Sequence, residues 1–452
     1  MSARNPATPL PTRRPFVGST AGFAAGSDTP RDYLERCLEA IATLEPKIGA
    51  FVNLNRDGAQ AAADRSSARW KAGKPLSPID GMPVGIKDII ETADMPTEMG
   101  SPIFAGWRSG RDAATVAALR EAGAVVLGKT VTTEFASTEP RGTRNPWDLE
   151  RTPGGSSSGS AAAVAVGMLP AGLGTQVIGS IVRPASFCGV YGFKPSVGAI
   201  NRGGSLDGLS QSCHGALAAT LADAWATLRE ISARAGGDPG YPGLAGPRAC
   251  PEAKKPRRLA LLEGPGWTAI TDAARAALAA TVARLKAAGV EILTRSDTPA
   301  LAAVETALQD ANAIARSINS WEFRWPLNLW RDNPGLSQAM RNRLVQAEAM
   351  SREDFAALLA ERSRIRGVYA SLGALCDGCV TLPATGAAPL GLGSTGNTIC
   401  AVAGSLLGVP ALSLPLLTVE DLPLGLQIMG FEQQDAAAVA TAAWIDRLFA
   451  QA

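Results

Sequence analysis

The stretch RTPGGSSSGS (151–160), running directly into AAAVAVGM (161–168), decides how the chain is read. Glycine and serine at this density commonly form a solvated linker. The apolar run that follows works against a linker, because those residues are expected to lie buried along one helix. The serines then stand at the entrance of a buried helix, where hydroxyls and bare backbone come close to something. Upstream lies DGMPVGIKDII (80–90), and downstream GLGTQVIGSIVRPASFCGVYGFKP (172–195), each with its own glycine turns and apolar runs.

Composition bounds what these motifs can belong to. At 452 residues, with 46% hydrophobic and 19% charged content, the chain can bury a substantial core. A net charge of +2 supplies no general electrostatic reason to expect nucleic acid or an anionic membrane as partner. The local basic run at 254–258 reads as a solvated loop. No apolar segment reaches the ~18 residues of a membrane span. The start, MSARNPATPLPTRRPF (1–16), lacks the apolar stretch of a secretory signal. Residues 1–25 are accordingly expected to form a poorly ordered leader on a cytoplasmic protein, with residues 26–452 as one domain. The seven cysteines are scattered and odd in number, which speaks against a disulfide framework. Cys376 and Cys379 form CDGC, but no second CxxC or HxxxH completes a zinc site, so no metal is expected.

Alternating helical and extended patterns run along the chain. Thr29 caps a helix that starts near Asp32 and keeps helical spacing through Leu44. Residues 112–121 read as a helix, 124–127 as a strand, 257–263 as a strand, 272–288 as a helix and 290–294 as a strand. This alternation predicts an α/β fold with a mixed, mostly buried β-sheet covered by helices on both faces. The glycine- and proline-rich segment 233–256 reads as a surface connection between two lobes.

Three chemistries compete for the serines. GSSSG (155–159) satisfies the GxSxG elbow of an α/β-hydrolase with Ser157 as nucleophile, which requires a downstream acid and then a histidine. The single histidine is His214, and the one acid between it and Ser157 is Asp207, too close to His214 to leave room for the intervening strands and helices. A phosphate loop fails as well, since GxxxxGK[ST] is absent. The third chemistry dispenses with histidine. A lysine serves as base where burial lowers its pKa, and Lys87 stands among Val84, Ile86, Ile89 and Ile90. Local sequence leaves open whether Lys87 is that buried base or instead snorkels or pairs with Asp88.

The order of a buried lysine, GGSSSGS and then GTQVIGSIVRPASFCGVYGFKP resembles the amidase signature family. The resemblance extends from the helix at Asp32 through GMPVGIKDI, TRNPWD and TPGGSSSGS to the closing GVPALSLPL and LPLGLQIMG. It implies a single large amidase-signature domain, with Lys87 as base, Ser180 as nucleophile and Ser156 as the bridging serine on a cis peptide bond. It implies further that Ser157 supports the site near the lysine and that backbone N–H groups of Val177, Ile178, Gly179 and Ser180 form the oxyanion hole. His214 is then structural, and no cofactor is implied. Three departures stand out from the family's common GTDTGGSIR: Gln176 replaces an acid, Arg183 stands one place late, and Ile178 replaces a glycine. A β-branched Ile178 resists positive φ and adds bulk beside the oxyanion site.

The resemblance spans amides, carbamates and the glutaminase step of transamidation, so substrate choice must come from variable segments. WEFRWPLNLW (321–330) is one such segment, read either as a helical lid packed on the core or as an aromatic wall. Phe104, Trp107, Leu206, Trp321 and Trp325 are the expected pocket lining. The leading expectation is hydrolysis of small hydrophobic or aromatic amides, with carbamates (urethanes) as related substrates. The alternatives are a glutaminase subunit of a transamidation complex and a catalytically weak binding protein. The expected partner is a small molecule, with monomer and homodimer both open.

Overall fold

In the computed structural model, which describes residues 11–450, eleven strands form one mixed sheet. They are β1 (Phe51–Leu54), β2 (Pro83–Lys87), β3 (Val125–Thr130), β4 (Ala171–Gln176), β5 (Tyr191–Lys194), β6 (Cys213–Ala218), β7 (Arg258–Leu261), β8 (Glu291–Leu293), β9 (Cys379–Thr381), β10 (Ala411–Val419) and β11 (Leu422–Met429). Their spatial order is β1-β3-β2-β4-β6-β5-β10-β11-β9-β7-β8. The strands β3, β2 and β4 run parallel, the middle of the sheet is antiparallel, and β9, β7 and β8 are parallel again. The predicted α/β class is the observed one. The predicted elements fall at Ala114–Glu121, β3, β7, Asp272–Ala287 and β8, each within a few residues of its expected bounds.

Every residue of β2, β3 and β4 is buried. A parallel strand flanked on both edges and covered on both faces can be apolar throughout, which is what PVGIK supplies until its last residue. Crevices beyond the carboxyl ends of parallel strands are the usual ligand sites of such sheets. Lys87 ends β2, and Gln176 ends β4 beside it. The serine-rich stretch leads into the helix Ser158–Ala165, all of it buried, which closes three residues before Met168. Gly159 permits that burial: a Cβ there would lie 2.1 Å from Ala50 O and 2.4 Å from Val131 N. The helix can therefore rest directly on the backbone at the sheet edge.

One expectation about the chain's organisation needs correction. Residues 1–10 lie outside the described residues, but 11–25 are packed onto the domain. Phe16 and Phe23 are buried, with their rings 5.5 Å apart and Phe16 set edge-on to Tyr33 at 5.0 Å. Asp223 accepts from the Phe16 and Val17 N–H groups at 3.1 and 2.8 Å, and Arg14 Nε donates to Gly167 O at 3.1 Å. Two aromatic rings hold the segment down even though it carries no long apolar stretch. The 233–256 segment begins inside the helix Leu221–Ala235 and then connects to β7. It joins parts of one continuous sheet. Among the described residues no helix is long and apolar enough to cross a membrane.

Phe16→Ala should cost about 3–5 kcal/mol, as loss of a buried aromatic does elsewhere. Urea unfolding would show it as a lower midpoint at unchanged slope. A change under about 1 kcal/mol would mean the segment is not part of the cooperative fold.

Candidate active site

Lys87 is fully buried, and its Nζ donates to Ser156 Oγ and Thr175 Oγ1, both at 2.8 Å, with Thr175 O at 3.4 Å. Burial pushes its pKa down to about 7, opposed by the charge of Asp207. The adjacent Asp88 gives no help. Asp88 meets the buried Lys129, with Oδ1 and Nζ 3.3 Å apart, and accepts from the Glu98 N–H. Successive residues of an extended strand face opposite ways, so neighbours in sequence are not neighbours in space. Lys87 neither snorkels nor pairs with Asp88: it is a buried amine held by two hydroxyls.

The Gly155–Ser156 peptide is cis. Arg183 Nη2 donates to Gly155 O at 2.6 Å, which ties the Ser156 turn to the helix Val182–Cys188 that begins just after Ser180. Ser157 sits one step further from the lysine than expected. Its Oγ exchanges hydrogen bonds with the Thr175 backbone, both at 3.4 Å, and so supports β4 while Thr175 makes the contact to Lys87. Thr175 is a residue that sequence reading does not single out. The one signal for it was its place in GTQ, at the carboxyl end of a strand parallel to that of Lys87.

Ser180 is half-buried and lines a cavity of about 500 Å³, large enough for a small-molecule substrate. Among the described residues its hydroxyl has no hydrogen-bond partner, so the expected Ser180-to-Ser156 contact is not formed in this state. The N–H groups of Val177, Ile178, Gly179 and Ser180 also lack protein acceptors among the described residues. Val177, Ile178 and Ser180 line the cavity, and unpaired donors in a row at its wall are a ready cradle for an oxyanion. Ile178 does not take positive φ, so its branched side chain brings no backbone conflict. His214 lies on β6 opposite Thr175, does not line the cavity, and is held neutral by burial, which pushes its pKa down to about 3.

The cavity walls differ from those expected. Leu206 lines it, but Phe104, Trp107, Trp321 and Trp325 do not. Trp325 is 69% exposed, and Trp321 stacks on Phe355 at 5.1 Å. Phe104 instead backs the lining residue Phe135, 6.0 Å away, with Trp107 behind it at 5.6 Å. The segment 321–330 belongs to the helix Ala311–Leu329 and its cap at Trp330. On a helix, Arg316, Asn319, Ser320 and Phe323 share one face, and all four line the cavity. The period of 3.6 would have selected Phe323; the alternation of 321, 323 and 325 concealed it.

The polar lining is dominated by Arg183, Arg316 and Arg343, with Asp207 and Glu139 as the acids. None of these three arginines is in an ion pair among the described residues. Arg183 is 2% exposed, and its Nε and Nη1 have no partner. Its pKa is lowered to about 9 by burial first and Arg316 second, so it remains charged at neutral pH. Arg343 lies 4.8 Å over the Phe323 ring and donates to Asn319 O at 2.8 Å. Asp207 Oδ2 is also buried without a partner.

The site thus brings a buried lysine into contact with a serine on a cis peptide, and a second serine, on a turn of unpaired N–H groups, lines the cavity. The family model described as Amidase matches residues 32–439, and the chain belongs to that family. A glutamyl-tRNA(Gln) amidotransferase subunit of Chloroflexus aggregans (strain MD-66 / DSM 9485) is 44% identical over 237 residues, 51% of this chain and 48% of that protein. The same subunit of Anaeromyxobacter sp. (strain K) is 43% identical over 231 residues, 48% of this chain and 45% of that protein. The chain thus spans about half the length of the curated relatives it matches. Among solved structures, one described as an amidase superposes with a TM-score of 0.82 at 26% identity, covering 96% of this chain and 99% of that one. Peptide amidase from Stenotrophomonas maltophilia superposes with a TM-score of 0.76 at 26% identity, covering 96% and 97%.

NMR titration of isotopically labelled lysine should find one amine with a midpoint near 7, absent in Lys87→Met. Asp207→Asn should lower that midpoint, because the charge that favours the ammonium form is removed and desolvation acts unopposed. An unchanged or raised midpoint would show that Asp207 does not act on Lys87.

Proposed function

We propose that this protein hydrolyses small polar amides whose acyl part carries a carboxylate, through an acyl-enzyme on Ser180. Ser180 Oγ attacks the carbonyl carbon while its proton passes through Ser156 to the uncharged Lys87 along the 2.8 Å contact between them. A hydroxyl carries one donor and two acceptor sites, so Ser156 can accept from one side and donate to the other. Contacts of this kind in free enzymes commonly tighten when substrate arrives, and the open Ser180 link is of that kind. The unpaired N–H groups of residues 177–180 stabilise the tetrahedral oxyanion. Lys87 returns the proton through Ser156 to the leaving nitrogen, and water then releases the acid.

The observation that carries the substrate class is Arg183. A buried guanidinium with two unpartnered nitrogens and no counter-charge stands at the cavity, with Arg343 and Arg316 on the same lining. A cation left unpaired in the interior is costly, and a carboxylate matches its fork geometry. This supports the glutaminase-type reading over the hydrophobic one, as do the amidotransferase relatives. Glutamine has an amide to cleave and a carboxylate for Arg183, and Asp207 suits its ammonium group. By the same analogy the protein would work with partner subunits that use the released ammonia. A second reading rests on Phe135, Phe323 and Leu206, which form an apolar strip of the lining and suit an aryl amide or an aryl carbamate.

The test is a panel of glutamine, asparagine, benzamide, acetanilide and a phenyl carbamate. Wild type should favour the carboxylate-bearing amides, and Ser180→Ala and Lys87→Ala should each lose at least about 10³-fold in kcat. Arg183→Met should weaken kcat/KM for glutamine by about 10- to 100-fold, the worth of one charge-assisted pair. Faster turnover of acetanilide or the carbamate would establish the aromatic reading. Undiminished activity in Ser180→Ala would remove the mechanism, and a flat panel with folded protein would leave a binding protein.

A further inference from the structure

The turn 177–180 is held from behind by three side chains, none of which lines the cavity. Gln176, fully buried at the end of β4, accepts from the Ile181 and Val182 N–H groups at 2.9 and 3.0 Å. Its Nε2 donates to Ser405 Oγ at 3.0 Å, and Ser405 Oγ in turn donates to Ile178 O at 3.0 Å. Ser405 belongs to the short helix Val402–Leu406 and is likewise fully buried. On the preceding peptide, Gln211 Nε2 donates to Val177 O at 3.3 Å and to Ala315 O at 3.3 Å.

A planar trans peptide points its C=O and its N–H in opposite directions. Gly155–Ser156 is the one cis bond among the described residues, so the peptides at 177–179 are trans. Drawing the Ile178 carbonyl inward to Ser405 therefore turns the Gly179 N–H outward, and drawing the Val177 carbonyl to Gln211 does the same for the Ile178 N–H. Those N–H groups are the ones without protein acceptors. Sequence reading treated Gln176 as a bare replacement of an acid. The structure gives the amide a use that a carboxylate lacks, since it accepts from two backbone N–H groups and still has a donor for Ser405.

We propose that Ser405, oriented by Gln176 and seconded by Gln211, is a positioning residue that aims the Ile178 and Gly179 N–H groups at the oxyanion. The inference rests on the reading of Ser180 as nucleophile. It adds a residue some 225 positions downstream of that nucleophile (405 against 180) to the machinery of transition-state stabilisation. Ser405 touches no substrate, and its effect passes wholly through the direction of one peptide plane. An oxyanion hole acts by preorganisation, so a donor that is free to tilt loses most of its advantage without being removed.

The test uses the full-length protein and an alkyl fluorophosphonate, which needs no knowledge of the natural substrate. Ser180 Oγ forms a bond to phosphorus, the phosphorus–fluorine bond breaks, fluoride leaves, and the serine proton passes to the relay; the phosphoryl oxygen occupies the oxyanion site. Mass spectrometry should find the label on Ser180 in wild type and none there in Ser180→Ala. Ser405→Ala should lower the maximal labelling rate by about 10- to 100-fold while the reagent's half-saturating concentration stays within about twofold. Ser405→Thr, which keeps the hydroxyl, should recover most of the rate. Because Gln176 acts through Ser405, adding Gln176→Met to Ser405→Ala should lose less than the product of the two single losses. Full-rate labelling of Ser405→Ala overturns this inference and leaves the functional reading intact. A parallel loss of rate, reagent binding and melting temperature that threonine does not relieve marks Ser405 as structural and overturns it too. An unlabelled Ser180 in wild type removes the reading and the inference together.

Discussion

The structure depends on one unbalanced burial: the amine of Lys87 sits inside the sheet with no carboxylate in contact. An ammonium in that position would face a desolvation penalty that two hydroxyls do not repay, so the uncharged form becomes accessible near neutrality. The arrangement around it follows from this. Asp88 must be kept away, and strand alternation sends it to Lys129. Ser156 and Thr175 must present oxygens to Nζ, which needs the serine turn and the end of β4 to converge on the last residue of β2. The chain's one histidine lies in the sheet opposite Thr175 and does not line the cavity.

The same logic governs the turn that carries Ser180. Its N–H groups face the cavity only if its carbonyls have partners elsewhere, and Gln211 and Ser405 supply them. A carboxylate at 176 could hold the first N–H groups of the following helix but could not donate to Ser405, and it would bring a charge into a fully buried position. The amide accomplishes both contacts without a charge. Arg183 completes the frame from the other side, joining the Ser156 turn to the Ser180 helix through Gly155 O while leaving two nitrogens unpartnered at the cavity.

Much of this was legible one residue at a time. A lysine inside an apolar run, dense glycine and serine before small apolar residues and a second glycine-serine turn mark three segments that must meet, and resemblance assigned them their order. The parts that were not legible are long-range. Thr175, Ser405 and Gln211 are ordinary residue types whose roles exist only because a strand end, a short helix and a turn distant in sequence are adjacent in the fold. The leader failed for a local reason, since Phe16 and Phe23 were outweighed by the arginines and prolines around them. The aromatic lining failed because a stretch with Trp321, Phe323, Trp325 and Trp330 offers more rings than a cavity wall uses. Helical geometry admits Phe323 and turns Trp321 and Trp325 elsewhere.

This division has a consequence for how the protein selects its substrate. Lys87, Ser156 and Thr175 stand on sheet ends and on a turn locked by buried hydrogen bonds, whereas much of the distal lining comes from two facing helices. Ala311–Leu329 contributes Arg316, Asn319, Ser320 and Phe323, and Gln338–Glu348 contributes Met340, Arg343 and Gln346. Side chains on those helices can change in size and charge without breaking the hydrogen bonds of Lys87 and Ser156, because none of them takes part in those bonds. Arg183 is the exception. It belongs to the chemical frame through Gly155 O and to the cavity through its unpartnered nitrogens, so the positive charge is not freely exchangeable in the way the helical residues are. The helical wall can thus change in shape, while the positive charge of Arg183 stays tied to the geometry that holds the Ser156 and Ser180 turns.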